Sequence, residues 1–168
     1  PPPEEKRILH AAASTSPKKE TPKMRVYLAG PVDPALLEYC LGWRREIATL
    51  LTDQGITALD PCRGGQHPKP DPSGVISGMP VSPRQLVTRD KADIRSANLV
   101  LVHWPAESEK FGIGTIMEIA LAREWQIPVL VVDPGNRISD HPWVVVHTSE
   151  RHDTLASAVA AIVGYWMS

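Results

Sequence analysis

The run Asn98-Leu-Val-Leu-Val-His103 constrains this chain most. It is short, apolar and non-alternating, so it reads as a strand buried on both faces, the kind that parallel sheets contain. Similar runs recur along the chain. Arg25–Ala29 is a first strand ending at Gly-Pro, Ile56–Leu59 a second ending at Asp60-Pro61, and Ile127–Val132 a fourth. Trp143–His147 is expected as a fifth. Helical periodicity fills the intervals. Ala35–Gln54 places Leu37, Leu41, Ile47, Leu50 and Leu51 on one side and stops at Gly55. Ser82 as N-cap, Pro83 in the first helical position and Gln85 completing a capping box start a helix that runs to about Ser96. Further helices are expected from about Ile116 to Trp125 and from Asp153 or Thr154 to about Trp166. Strands alternating with helices predict an α/β fold whose parallel sheet is covered on both faces.

The 168 residues suffice for one domain with a core. Net charge is -1 and the signs are mixed along the chain, which argues against a nucleic-acid partner or an anionic membrane surface. No apolar run approaches the roughly 20 residues of a membrane span, and no secretory pattern is visible. Cys40 and Cys62 lie far apart in sequence, which fits a reduced, cytoplasmic protein. The six histidines show no metal-ligand spacing, so no metal is expected. Residues 1–23 carry five prolines among Lys, Glu, Ser and Thr and read as a tail, with the domain spanning 24–168. Residues 62–82 are rich in Gly, Pro and Ser and carry Arg63, Gln66 and His67; so long a loop reads as a lid or binding loop.

Glu118 is the leading candidate for chemistry. It follows the Asn98–His103 strand through the turn Gly112-Ile-Gly114-Thr115, at the carboxyl edge of the sheet, where open α/β folds bind ligands. A carboxylate there can serve as nucleophile or general base. Thr115-x-x-Glu118 is also a capping box, so Glu118 can equally be a helix-end partner. Gly112 and Gly114 favour the catalytic reading, because a cap does not require them and they let a ligand approach the backbone. Asp90 falls within the apolar stripe of Leu86, Ile94 and Ala97, where a carboxylate must be paired or functional. Asp93, one step around the helix, is expected in solvent or paired with Arg89. Tyr27 reads as a core tyrosine whose hydroxyl needs a partner, which a carboxylate at the sheet edge would supply. Gly112-x-Gly114 is not a dinucleotide fingerprint, since Met117 replaces the third glycine.

These elements together resemble the nucleoside 2-deoxyribosyltransferase family and its N-glycosidase relatives. The matching residues are Val26-Tyr27-Leu28-Ala29-Gly30-Pro31, Trp43-Arg44, Gly55, Asp60-Pro61, Arg89-Asp90, Gly114-Thr115-x-x-Glu118-Ile-x-x-Ala122 and Ile127-Pro128-Val129, in order over residues 24–132. The resemblance implies a flavodoxin-like, three-layer α/β/α sandwich with a five-stranded parallel sheet. It implies an enzyme that exchanges the base of a nucleoside without a cofactor. In that scheme Glu118 attacks the anomeric carbon, Tyr27 orients it, and Asp90 contacts the base or helps protonate it. Gly30, Arg63, Gly114 and Thr115 would line the substrate site. The resemblance also implies homo-oligomers with shared active sites, where Asn136 would reach a sugar 5′-hydroxyl; on sequence alone Asn136 reads as a turn residue after Pro134-Gly135. Gly112 departs from the family, in which many transferases carry an Asp six residues before the catalytic Glu. Glu107 and Glu109 lie nearby, and the departure leaves transfer and hydrolysis both open. Pro31-Val32-Asp33-Pro34 offers no Ser, Arg or Lys to a phosphate, which favours an unphosphorylated nucleoside unless Arg63 turns inward.

Overall fold

The computed structural model describes residues 23–63, 82–109 and 112–167. The proposed tail, apart from Lys23, and most of the proposed binding loop, including Gln66 and His67, lie outside the described residues. Five strands form one parallel sheet: β1 (Arg25–Ala29), β2 (Thr57–Leu59), β3 (Leu99–His103), β4 (Val129–Val132) and β5 (Glu150–His152). Their spatial order is β2-β1-β3-β4-β5. That is the flavodoxin-like order, with its topological switch point between β1 and β3. Five helices complete the fold: α1 (Leu37–Asp53), α2 (Pro83–Ser96), α3 (Ile113–Glu124), α4 (Pro142–His147) and α5 (Leu155–Met167).

The pleat of the strands divides the core into two layers. Tyr27, Ala29, Val100, Val102, Val129 and Val131 face α2, α3 and α4, where Ile94, Ile119, Ala122 and Val144 meet them. Val26, Leu28, Leu99, Leu101, Leu130 and Val132 face α1 and α5, where Trp43, Ile47, Leu51, Ala158 and Ile162 meet them. Every residue of β3 is buried, as expected of a central strand with helices on both sides. The expected three-layer sandwich is the observed one.

Local signals explain most of the boundaries. The α2 capping box forms as expected: Ser82 Oγ accepts from Gln85 N, and Gln85 Oε1 accepts from Ser82 N. Gly55 follows α1 with φ of 75°, a left-handed position that suits glycine. The first expected helix divides into a 3-10 turn, Pro34–Leu36, and α1. Its buried side is also rotated from expectation. Cys40, Trp43, Arg44, Ile47 and Leu51 are buried, whereas Leu50 is exposed and Leu37 and Leu41 are half-buried.

The fifth strand is a correction. Residues 142–147 form α4, and β5 follows as Glu150–His152. Pro142 occupies the first helical turn, and His141 Nδ1 accepts from Trp143 N, so the start of the segment is built as a helix. Of its apolar residues only Val144 is buried, against the sheet, while Trp143, Val145 and Val146 stay exposed, so the β-branched run pairs with no strand. The true β5 is a polar edge strand of three residues, with no apolar pattern to reveal it.

Candidate active site

Helix α3 begins three residues earlier than the sequence implies, and that decides the first question about Glu118. Its N-cap is Gly112, which supplies no side-chain hydrogen bond. Thr115 is therefore inside the first turn and buried, and Glu118 lies a turn further on. The Thr115–Glu118 capping box does not form. Instead Tyr27 Oη donates to Glu118 Oε1 at 2.7 Å, joining the middle of β1 to α3. The core tyrosine has the carboxylate partner that its burial requires.

Burial governs the charge of this pair. Removal from water pushes the Glu118 carboxyl up to about 7; the Tyr27 hydrogen bond pulls it down, the Asp90 carboxylate pushes it up, and the Arg44 guanidinium pulls it down. Burial, reinforced by the Glu118 and Asp90 charges, also raises the Tyr27 phenol, which stays a protonated donor. Asp90, on the neighbouring α2, is raised chiefly by burial and held back by its hydrogen bonds from Arg89. Glu118 is thus poised between acid and carboxylate near neutral pH, with a second carboxyl group close enough to influence it.

The arginines around these carboxyl groups differ from expectation. Arg89 pairs with Asp90 at 3.1 Å and also donates to Pro61 O. Asp93 pairs with Arg63 at 2.6 Å, not with Arg89. Arg63 also donates to Asp60 O and is half exposed, so its guanidinium is committed to the Asp93 side of α2. Arg44, which entered from the sequence only as part of the family resemblance and with no role, is central here. It is fully buried, donates to Leu28 O, Cys40 O and Gly30 O, lies 3.8 Å from Asp60, and stacks on Trp43. Its place in the buried stripe of α1, four residues after Cys40 and three before Ile47, was the available signal.

The glycines divide by role. A side chain on Gly30 would put a Cβ 2.5 Å from His103 O, so glycine there lets the end of β1 pass beside β3. Gly112 is also enclosed: a Cβ would meet Trp104 at 3.0 Å and Pro31 at 3.1 Å. Gly114 faces open space, which leaves room for a ligand over the first turn of α3. Two buried aspartates hold the surrounding loops. Asp33 accepts from Ala35 N and Ser108 Oγ, tying the loop after β1 to the loop after β3. Asp133 accepts from the backbone N–H groups of Arg137, Ile138 and Ser139 in the loop after β4. Asn136, in that loop, has a left-handed φ of 49° and bonds Asp140 and Arg151, the turn role read from its sequence. Among the described residues no His, Cys, Asp and Glu cluster is placed to hold a metal ion.

Fold and site together define a doubly wound α/β protein whose sheet edge carries a tyrosine-bound, desolvated glutamate with an aspartate beside it. No protein-family model matches the chain, and no curated protein matches it in sequence. Solved structures do. A 2-deoxyribosyltransferase from the psychrotolerant bacterium Bacillus psychrosaccharolyticus matches with a TM-score of 0.61 at 19% identity, over 83% of this chain and 95% of that one. A conserved protein from Enterococcus faecalis V583 matches with a TM-score of 0.58 at 14% identity, over 83% and 97%. A CMP N-glycosidase from Clostridium botulinum matches with a TM-score of 0.52 at 15% identity, over 82% and 97%. The chain has the fold of the deoxyribosyltransferases and related N-glycosidases, as its sequence motifs imply.

Proposed function

We propose that this protein is an enzyme of N-glycosidic bonds, a nucleoside 2′-deoxyribosyltransferase acting in nucleotide salvage through a glycosyl-Glu118 intermediate. The observation that carries the reading is the 2.7 Å bond from Tyr27 to a glutamate whose carboxyl is raised to about 7. Desolvation makes the ionised Glu118 a better nucleophile, and the Tyr27 hydroxyl fixes which oxygen is engaged. The free oxygen attacks the anomeric carbon, the C–N bond breaks, and its electron pair leaves with the base, which takes up a proton. Asp90, raised by its own burial, is the group proposed to supply or relay that proton. A second base then attacks the anomeric carbon from the vacated side and frees Glu118. No cofactor enters the scheme.

Hydrolysis is the second reading, and Gly112 favours it. The position has no side chain, and neighbouring Pro31 and Trp104 leave none room, so a proton donor six residues before Glu118 is absent. Water in place of the second base gives free sugar. The enzyme is further proposed to be cytoplasmic and to form homo-oligomers; exposed Ile113 and Met117 on α3 and Trp143, Val145 and Val146 on α4 are among the exposed apolar side chains of the described residues. No described helix is long and apolar enough to cross a membrane.

One incubation tests the proposal. The protein is given a 2′-deoxynucleoside and a different free base, and the products are resolved by chromatography. A new nucleoside is expected; free base alone assigns hydrolysis, and unchanged substrate refutes both enzymatic readings in favour of a binding module. Glu118→Ala should be inactive, and an active Glu118→Ala would refute the covalent route.

A further inference from the structure

β2 ends before β1 does. Alternate carbonyl groups of a strand face opposite neighbours: Met24 O accepts from Thr57 N on β2, and Arg25 O accepts from Asn98 N beside β3. Val26, Leu28 and Gly30 therefore also turn their carbonyl groups toward β2. The register pairs Tyr27 with Leu59, the last residue of β2, so the next donor in line, for Leu28 O, would be the N–H of residue 61. That residue is proline and has none. Two residues on, Arg63 N turns back to Asp60 O.

Arg44 fills this gap from α1. Its Nε donates to Leu28 O at 3.3 Å and its Nη2 to Gly30 O at 2.7 Å, the two carbonyl groups that lie beyond the end of β2. Nη1 donates to Cys40 O at 2.6 Å, one turn back on the helix. Both supports of the carboxyl pair meet at this guanidinium. Tyr27, which binds Glu118 at 2.7 Å, immediately precedes Leu28. On the other side, Arg44 Nε lies 3.8 Å from Asp60 Oδ1, which also accepts from Cys62 N at 2.7 Å and so shapes the turn around Pro61. Pro61 O accepts from Arg89 at 2.5 Å, and Arg89 pairs with Asp90 at 3.1 Å.

We infer that Arg44 is a positioning residue, which fixes Asp90 relative to Glu118 by standing in for the missing end of β2. The inference rests on the glycosidic reading, in which one carboxyl group attacks while the other serves the departing base. A lysine would keep the charge, but it is a compact point donor without the planar fork that spans Leu28 O, Gly30 O and Cys40 O. A misplacement of about 1 Å is enough to cost about a hundredfold in rate.

Arg44→Lys is the test. Its kcat and KM for a 2′-deoxynucleoside are measured beside those of the native enzyme. The Glu118 and Asp90 carboxyl groups of both proteins are titrated by NMR, with Glu118→Gln and Asp90→Asn to assign the signals. The variant should lose about 10- to 100-fold in kcat while KM changes by less than about threefold. At least one of the two titration midpoints should move by about half a pH unit or more, although no charge has been removed. A folded variant with native kcat, or one whose loss lies in KM alone, overturns the inference. So do titrations that match the native ones. If Arg44→Lys does not fold, Asp60→Asn replaces it: the amide keeps an acceptor for Cys62 N and loses the ion pair, so kcat should fall severalfold at constant KM, and native kinetics there overturn the inference. If the native protein turns over no nucleoside, the glycosidic reading fails, and the two titrations alone decide whether Arg44 places the carboxyl groups.

Discussion

Replacing Glu118 with Gln should make the protein more stable above neutral pH and leave its stability almost unchanged in acid. The native group has a carboxyl raised from 4.5 to about 7, with burial as the first cause. A raised carboxyl means that the folded state holds the proton more tightly than the unfolded chain does. The contribution of this group to stability is therefore highest below pH 4.5, where Glu118 is protonated in both states. It falls as pH rises through the interval and reaches its floor above about pH 7, where the half-buried group is ionised. At about 1.4 kcal/mol for each pH unit, that interval corresponds to at most about 3.5 kcal/mol, less for a half-buried group that water still reaches. The amide introduced by Glu118→Gln keeps an acceptor for Tyr27 and never ionises, so the variant should escape the cost. Urea denaturation at pH 4.2 and pH 8.5 reads the difference directly. The variant should gain about 2–3 kcal/mol at the higher pH and under about 0.5 kcal/mol at the lower. Equal stability of the two proteins at pH 8.5, or the same gain at both pH values, would refute a desolvated Glu118. The experiment requires no substrate, so it tests the site before its reaction is known.

Tyr27→Phe removes the hydrogen bond that stabilises the Glu118 carboxylate, a charge-assisted bond of about 1.5–3 kcal/mol. The acid limb of the pH–kcat profile should move up by about one to two pH units, with most activity recovered in alkali; an unmoved limb would show that Tyr27 only packs. Gly30→Ala forces a Cβ to 2.5 Å from His103 O, so thermal denaturation should show a loss of about 2–4 kcal/mol, and a neutral result would mean that β1 and β3 part there without cost. Asp133→Ala leaves the N–H groups of Arg137, Ile138 and Ser139 without their acceptor; hydrogen exchange at these three amides should accelerate and stability fall by about 1–3 kcal/mol, whereas unchanged protection would assign them other partners.

Much of this molecule is legible because its central strands are apolar on both faces. β1, β3 and β4 have nothing but buried residues after the first position of β1, and short runs of that kind between turn residues seldom fold as anything but interior strands. The ends of the sheet are harder. Glu150-Arg151-His152 pairs through its backbone alone, so its side chains record no strand, while Trp143–His147 has strand-like residues on a helix that Pro142 and His141 start. Tyr27 and Glu118 are legible singly, one as a tyrosine needing a partner and the other as a carboxylate after a glycine turn. That Glu118 is no cap depends on where α3 begins, and the sequence hides that start behind two glycines that read as loop. Arg44 is hidden for the opposite reason. A charged residue in an apolar stripe is usually read as an exception to it, yet here the stripe includes the charge, which donates to three carbonyl groups at the end of β1 and in α1 and faces Asp60. The pairings of Arg63 and Arg89 depend on side-chain reach between loops and α2, which spacing along one helix cannot resolve.

The bond between Tyr27 and Glu118 spans 91 residues and joins the first strand of the sheet to a helix laid down after the third. Neither half of the chain contains both partners in a form that could meet early, and no hairpin or single helix reproduces the pair. Glu118 is consequently an ordinary solvated carboxylate until β1, β3 and α3 have all docked, and its ionisation changes only when they have. The charge state of one side chain is thus a built-in reporter that these elements have docked. A partly folded chain would carry every residue of the site and none of its poised acidity.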